Sequence, residues 1–326
     1  MTDLDQTTTM PTRPLGASDL QVSVVGLGCN NFGRRLDLEG TRAVVDAAIE
    51  EGVTFLDTAD VYGGPDNAGA SETLLGQALE GRRDAVVLAT KFGMEMRLDD
   101  APDAARGSRA YIRWAIEGSL RRLRTDVIDL YQYHRPDGVT PIEETLGELN
   151  ELVREGKVRH VGCSNFDAAQ LEEAAQVAED QGLSAFVSVQ NEYSLLERGI
   201  ERDVVPAAER LNVSVIPYFP LASGLLTGKY RRGAQAPEGT RLHGRDEIAT
   251  DVQFDAIEAL DGLARERGIS LLDVAIAGLA AQPAVASVIA GATKPEQVRA
   301  NAAAGDWEPT DDELAEIDQL APTKRP

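Results

Sequence analysis

Residues 127–167, VIDLYQYHRPDGVTPIEETLGELNELVREGKVRHVGCSNFD, contain the unit from which the fold follows. An apolar, β-branched run, Val127–Tyr133, leads to Thr140-Pro141-Ile142-Glu143. That tetrapeptide predicts a capping box with proline at the first helical position, where its missing N–H is harmless. Ile142, Leu146, Leu149 and Val153 then recur at the helical period and define one buried face. Gly156 stands where a helix end needs a left-handed residue. A second apolar run, Val158–Cys163, follows, and Asp167 with Gln170 marks the start of another helix. Strands apolar on both faces, joined through a helix, imply parallel pairing.

The same beat of roughly 30 residues extends in both directions. Six more short runs fit it: Val22–Leu27, Val53–Leu56, Ala85–Thr90, Ala185–Val189, Val213–Ile216 and Val285–Ala290. Gly52, Gly182 and Gly268 punctuate helix ends as Gly156 does. Eight strand–helix units predict an α/β fold closed into a (β/α)8 TIM barrel, one domain over residues 13–326. Two segments break the beat. Arg13–Val22, with its Gly16-Ala17-Ser18-Asp19 turn, predicts an N-terminal hairpin plugging the barrel floor. The stretch after the seventh strand, residues 221–250, is too long for an ordinary connection and reads as a lid.

Bulk properties narrow the function. A net charge of −22 over 326 residues argues against a nucleic-acid surface. No run of 18 apolar residues exists to span a membrane. Residues 1–12 lack the basic and apolar regions of a secretory signal and read as a disordered leader on a cytoplasmic protein. The two cysteines, Cys29 and Cys163, have neither CxxC nor zinc-ligand spacing, so no metal is expected. Gly26-Leu27-Gly28-Cys29-Asn30-Asn31 imitates a dinucleotide fingerprint, but Asn31 replaces the third glycine and no helix opens from it. It reads instead as the mouth of the first strand, with Asn30 and Phe32 beside a substrate.

In such barrels chemistry sits at the C-terminal strand ends. Seven of the eight ends carry a polar group there. Asp57 and Tyr62 follow the second, Lys91 the third, His134 the fourth, and Ser164 with Asn165 the fifth. Gln190 follows the sixth and Tyr218 the seventh, while Gly291 and Thr293 follow the eighth. Asp57, Tyr62, Lys91 and His134 form a chemical set. A carbonyl accepting hydride needs a proton, and tyrosine, with a pKa near 10, is a weak acid. A lysine ammonium about 4 Å away contributes about 4 kcal/mol at an effective dielectric near 20, which predicts a phenol pKa lowered by about three. Asp57 would hold Lys91, and His134 would orient the substrate oxygen. A barrel glycosidase would need two facing carboxylates, and only Asp57 stands at a strand end. His160, mid-strand, and His243, in the long loop, are expected to be structural.

FLDTADVYG (55–63), TKFG (90–93), LYQYHRPD (130–137), GCSNF (162–166), VQNEYS (189–194), GLLTGKY (224–230) and GATKPEQV (291–298) together resemble the aldo-keto reductase superfamily over roughly residues 13–320. The resemblance implies a (β/α)8 barrel that transfers hydride between NADPH (or NADP+) and a small-molecule aldehyde, ketone or sugar. It implies Ser164, Asn165 and Gln190 on the nicotinamide carboxamide and Tyr218 on its ring. Gly28, Cys29, Phe219, Pro220, Leu221, Ser223, Gly224 and Gly291 would line the cofactor. Lys229 and Arg241 would flank its pyrophosphate, and Thr293, Lys294, Gln297 and Asn301 its adenosine end. Phe219 and Ala300 depart from the serine and glutamate common at those places. The substrate pocket is expected to include Asn30, Phe32 and Phe92. The alternative is an NADPH-binding regulatory subunit with little turnover. Five basic residues of the long loop, Lys229, Arg231, Arg232, Arg241 and Arg245, predict a basic flap over the pyrophosphate.

Overall fold

Strands apolar on both faces must be covered on both. The computed structural model, which describes residues 10–321 except 65, 97, 99 and 246, achieves this by closing them on themselves. Eight parallel strands form the wall: β3 (Val25–Gly28), β4 (Phe55–Asp57), β5 (Val87–Phe92), β6 (Ile128–Tyr133), β7 (Val158–Ser164), β8 (Phe186–Glu192), β9 (Ser214–Tyr218) and β10 (Val288–Gly291). They run in the order β10-β3-β4-β5-β6-β7-β8-β9. The last gap closes where Val215 N–H donates to Ala284 O (2.7 Å) and Ala286 N–H to Val215 O (3.1 Å). The helices α1 (Leu38–Glu50), α2 (Ala70–Ala78), α3 (Arg109–Leu123), α4 (Ile142–Arg154), α5 (Ala168–Gln181), α6 (Val204–Leu211), α7 (Asp251–Glu266), α8 (Leu271–Ala280) and α9 (Pro295–Ala303) pack outside it, with α10 (Asp311–Leu320) at the end. No helix among the described residues is long and apolar enough to cross a membrane.

Local chemistry explains where the elements begin and stop. Asp167 and Gln170 cap α5 reciprocally, and Pro295 opens α9 behind Lys294. Gly52, Gly156, Gly182 and Gly268 all take positive φ. The capping box expected at Thr140 does not form. Pro141 itself is the N-cap, and the Thr140 hydroxyl donates to Asp137 (2.7 Å), which also receives the Thr140 N–H. The first strand run, Val22–Leu27, is two strands rather than one. Ser23 divides it: its hydroxyl donates to Val25 O (2.7 Å) and accepts the Thr54 and Phe55 N–H groups (3.1 Å each). Of the leader expected over residues 1–12, residues 1–9 lie outside the described residues, and Thr12 already belongs to β1 (Thr12–Pro14).

β1 pairs antiparallel with β2 (Gln21–Ser23), forming the expected hairpin under the barrel. Leu15, Leu20 and Val22 enter the floor and pack with Phe55, Ala89, Leu130, Val187 and Ile216 from five strands. Arg13 fastens the hairpin by donating to the carbonyls of Ala280 and Val285. His160 accordingly serves structure, meeting Asp19 of the hairpin turn at 2.6 Å. With the floor sealed, polar side chains in the barrel can face solvent only at the opposite rim. Leu15 is wholly enclosed, so Leu15→Ala is expected to lower stability by about 2–5 kcal/mol through lost contact and a residual cavity. Urea unfolding checks this; a loss below about 1 kcal/mol would show that the floor collapses around the gap.

Candidate active site

The C-terminal rim is organised by one buried ion pair. Lys91, in β5, places Nζ 2.6 Å from Asp57 Oδ2 at the end of β4 and 2.8 Å from Thr58 O. Neither side chain is more than 2% exposed. A buried pair survives only if its remaining hydrogen-bonding capacity is filled. Two glutamines do this: Gln132 Nε2 (2.9 Å) and Gln190 Nε2 (3.0 Å) donate to Asp57 Oδ1, and Gln190 also donates to Gln132 Oε1 (3.2 Å). Burial opposes the charge on Lys91, yet Asp57 and then Tyr62 raise its pKa. Asp60, three residues past Asp57, is different. Burial first and Glu72 second push its carboxyl well up, so it does not compete for the lysine.

Tyr62 and His134 complete the cluster. Lys91 Nζ lies 5.0 Å from the Tyr62 ring centroid, and the His134 ring meets that tyrosine edge-on at 5.8 Å. The expected fall in the Tyr62 pKa does not occur. Burial raises it, and the opposing pull of Lys91, itself offset by Asp57, is too small to reverse the shift. Tyr62 is therefore firmly protonated at neutral pH. His134 moves the other way: burial, then the charges of Lys91 and Arg135, depress its pKa well below the ordinary histidine value. It is a neutral imidazole whose Nδ1 is buried without a partner among the described residues.

Next to this pair the backbone is strained. Asn165, Phe219, Ala222 and Ser223 have φ of +60°, +55°, +45° and +60°, conformations that persist where surrounding structure enforces them and that cluster at functional sites. Asn165 is held on all sides: Nδ2 donates to His134 O (2.9 Å), Oδ1 accepts the Tyr218 hydroxyl (2.8 Å), and its N–H reaches Asn191 Oδ1 (2.9 Å). Ser164 Oγ donates to Gln190 O (2.7 Å).

After β9 the chain turns through Phe219, Pro220, Leu221, Ser223 and Gly224 and runs on as the long strap. Gly224 takes φ of +94°, a backbone conformation that favours glycine. The strap is anchored by buried Tyr230, Ala236 and Leu242, and the Tyr230 hydroxyl accepts Leu242 N–H (3.3 Å). Arg241 lies over the Phe219 ring at 4.8 Å. The picture of five free basic residues needs correction. Arg231 pairs with Asp261, and Arg232 with Asp251, Asp255 and Glu258, all on α7. Lys229, Arg241 and Arg245 have no carboxylate within 4 Å among the described residues.

Beyond β10, Gly291 lies opposite Gly28, and Asn31 Nδ2 bridges to Ala292 O (3.2 Å). Gln297 Oε1 accepts both the N–H (2.7 Å) and hydroxyl (3.1 Å) of Thr293. Lys294 is exposed, and Asn301 is buried in α9. Arg299 turns away to Glu50 and Glu51.

Three expected residues are not at an open site. Phe32 is fully enclosed in the core between barrel and helices. Phe92 is sandwiched between Tyr131 (4.8 Å) and Tyr133 (5.1 Å). The Cys29 thiol points to Leu27 O (3.6 Å), while its carbonyl accepts the Ser71 hydroxyl (2.8 Å). Asn30 stays partly exposed near Gly291. Gln132 and Asn191 were missed. Gln132 stands at an inward position of β6, two residues before His134, and that period of two was the available signal. Asn191, the neighbour of inward Gln190, turns instead to Asn165 N–H and Phe166 O.

The sequence motifs and this geometry agree with known proteins. The profile of the aldo/keto reductase family matches residues 24–322. The chain is 39% identical over 290 residues to the uncharacterized oxidoreductase YrpG of Bacillus subtilis (strain 168), spanning 87% of this chain and 88% of the relative. It is 35% identical over 303 residues to a probable voltage-gated potassium channel subunit beta of Oryza sativa subsp. japonica, 90% of each. Its structure is similar to that of the aldo-keto reductase AKR11C1 from Bacillus halodurans (holo form), with a TM-score of 0.80, 35% identity and 97% of each chain covered.

His134 carries a thermodynamic signature. Its proton is bound in the unfolded chain below about pH 6.5 and refused by the native one. Stability is therefore full above that pH and declines as pH falls toward the depressed native value. Between pH 6.5 and 5.5 the wild type is expected to lose about 1 kcal/mol more than His134→Gln in urea unfolding. A pH-independent difference between the two would mean that the imidazole titrates alike in the native and unfolded chains.

Proposed function

The chain belongs to the aldo/keto reductase family of oxidoreductases, and on that premise we propose that it reduces the carbonyl of an aldehyde, ketone or sugar with NADPH, Tyr62 acting as the acid. The observation that carries this reading is the convergence of a protonated Tyr62, a neutral His134 and the Lys91–Asp57 pair at one rim. The residues around it suit a nicotinamide dinucleotide. Lys229 and Arg241 have no carboxylate partner among the described residues and stand on the strap, fit for a pyrophosphate. Lys294, without a carboxylate partner among the described residues, stands at the N-terminus of α9, where free N–H groups and the helix dipole favour an anion.

When bound, the reduced nicotinamide supplies hydride. Tyr62 gives its proton to the developing alkoxide, and Lys91 steadies the phenolate left behind. Asp57, held by Gln132 and Gln190, keeps the ammonium in place. Neutral His134 orients the carbonyl oxygen without competing as an acid. Ser164, Asn165 and Gln190 would hold the nicotinamide carboxamide, and Tyr218 would pack against it. Closure of the strap over the cofactor limits release, and slower tryptic cleavage at Arg241 and Arg245 in the presence of NADP+ reads that closure. The regulatory-subunit reading has no observation in its favour beyond the name of the rice relative.

Tyr62→Phe is expected to lower kcat by about 10²–10⁴ while NADPH affinity, read by fluorescence titration, stays within about twofold. Undiminished turnover would remove Tyr62 from the chemistry. Lys294 is expected to favour NADPH through its 2′-phosphate. In Lys294→Ala the ratio of kcat/KM for NADPH over NADH should fall about tenfold or more. Equal use of both cofactors by the wild type would defeat this assignment.

A further inference from the structure

Outside the Tyr62 turn, between the loop after β3 and the segment entering α2, lies a groove of about 600 Å³. Leu36, Leu38, Ala70 and Leu74 give it apolar walls, and Arg34 and Arg35 stand over it with exposed side chains. One wall continues from Asn30 and the other from Tyr62, whose carbonyl accepts Ser71 N–H (3.2 Å). Gly63, next to Tyr62, packs against Asn67 and Ala70 of the groove, so the groove adjoins the turn that carries the proton donor.

The strap brings more positive charge to the same place. After partial desolvation of its guanidinium, the charges of Arg34, Arg35 and Arg245 are what lower the pKa of Arg241. In a chain with 54 acidic and 32 basic residues, an arginine readily finds carboxylates, as Arg232 finds three. Arg34, Arg35, Arg241 and Arg245 have none within 4 Å among the described residues. The carboxylate that lines the groove, Asp37, is engaged in capping α1 through Gly40 N–H (2.9 Å). Unpaired like charges beside a concave apolar surface suit an amphiphilic anion, its body on the apolar wall and its head on the guanidinium groups.

We propose that the carbonyl compound reduced here is itself an anion, an aldehyde or ketone whose apolar body follows this groove and whose carboxylate or phosphate is held by Arg34 and Arg35. The proposal rests on the reductase reading above and specifies its substrate class. Arg241 remains with the cofactor pyrophosphate, and with Arg245 it adds to the field that draws an anion to the mouth of an otherwise acidic protein.

Two matched pairs of probes test it with NADPH: 4-formylbenzoate against its methyl ester, and glyceraldehyde 3-phosphate against glyceraldehyde. In at least one pair the anion should have a kcat/KM about tenfold or more above its neutral partner, mainly through KM. The pair that shows the preference identifies the head group. In the double variant Arg34→Ala/Arg35→Ala the anion-to-neutral ratio should fall toward one, and in the wild type added NaCl should erode it. Equal or better use of the neutral partner in both pairs overturns the proposal while leaving the reductase reading intact. So does an unchanged ratio in the double variant, or a loss of NADPH affinity there with the ratio preserved, which would give the arginines to the cofactor. If no carbonyl is turned over, the reductase reading fails and the groove is read separately. Calorimetric titration of 4-(hydroxymethyl)benzoate should then show binding that the double variant loses, and absent or unaltered binding overturns the anion site.

Discussion

The Lys91–Asp57 pair is the constraint around which the rim is built. A charge pair with almost no exposure is destabilising unless every remaining donor and acceptor is met, and this requirement recruits residues from four strands. Asp57 comes from β4, Lys91 from β5, Gln132 from β6 and Gln190 from β8. Strand register is thereby tied to electrostatics, since a shift of one residue would turn these groups into the apolar shell. The same enclosure sets the two titrating partners in opposite directions. Tyr62 is kept protonated and His134 unprotonated, so the two are distinguished by their surroundings and not by separate control of each.

The fold was legible because a period is a collective property. No single strand run identifies itself, but eight runs at one spacing with helical stripes between them leave few alternatives, and single faults at Ser23 or Thr140 do not disturb that count. That Asp57, Tyr62, Lys91 and His134 meet at one rim was legible for a related reason. A strand end can be located to within a residue or two, and the chemistry of the residue there does the rest.

Residues whose meaning depends on three-dimensional company were misread. Phe32 and Phe92 occupy the right stretches of chain, but strand alternation sends Phe92 outward beneath the helices and the loop after β3 folds Phe32 into the same shell. Arg231 and Arg232 belong to the strap, yet α7 brings three acidic residues to Arg232. The pull of Lys91 on Tyr62 is legible in the sequence as a pair interaction, but burial, which a sequence does not display, outweighs it. Arg34 and Arg35 acquire meaning only from the strap, which brings Arg241 close enough to feel their charge.

The closure of the barrel also determines how the chain can be made. β3 is the first wall strand to emerge during synthesis, but its outer neighbour β10 begins more than 260 residues later, and the guanidinium of Arg13 waits for the carbonyls of Ala280 and Val285. Until then an open parallel sheet carries a bare apolar edge at each growing side, the kind of surface that invites pairing with other chains. Folding is therefore dominated by contacts of long sequence separation, a slow regime. The large negative charge then has a role apart from any ligand, since mutual repulsion keeps partly built chains from one another while the final strand is awaited.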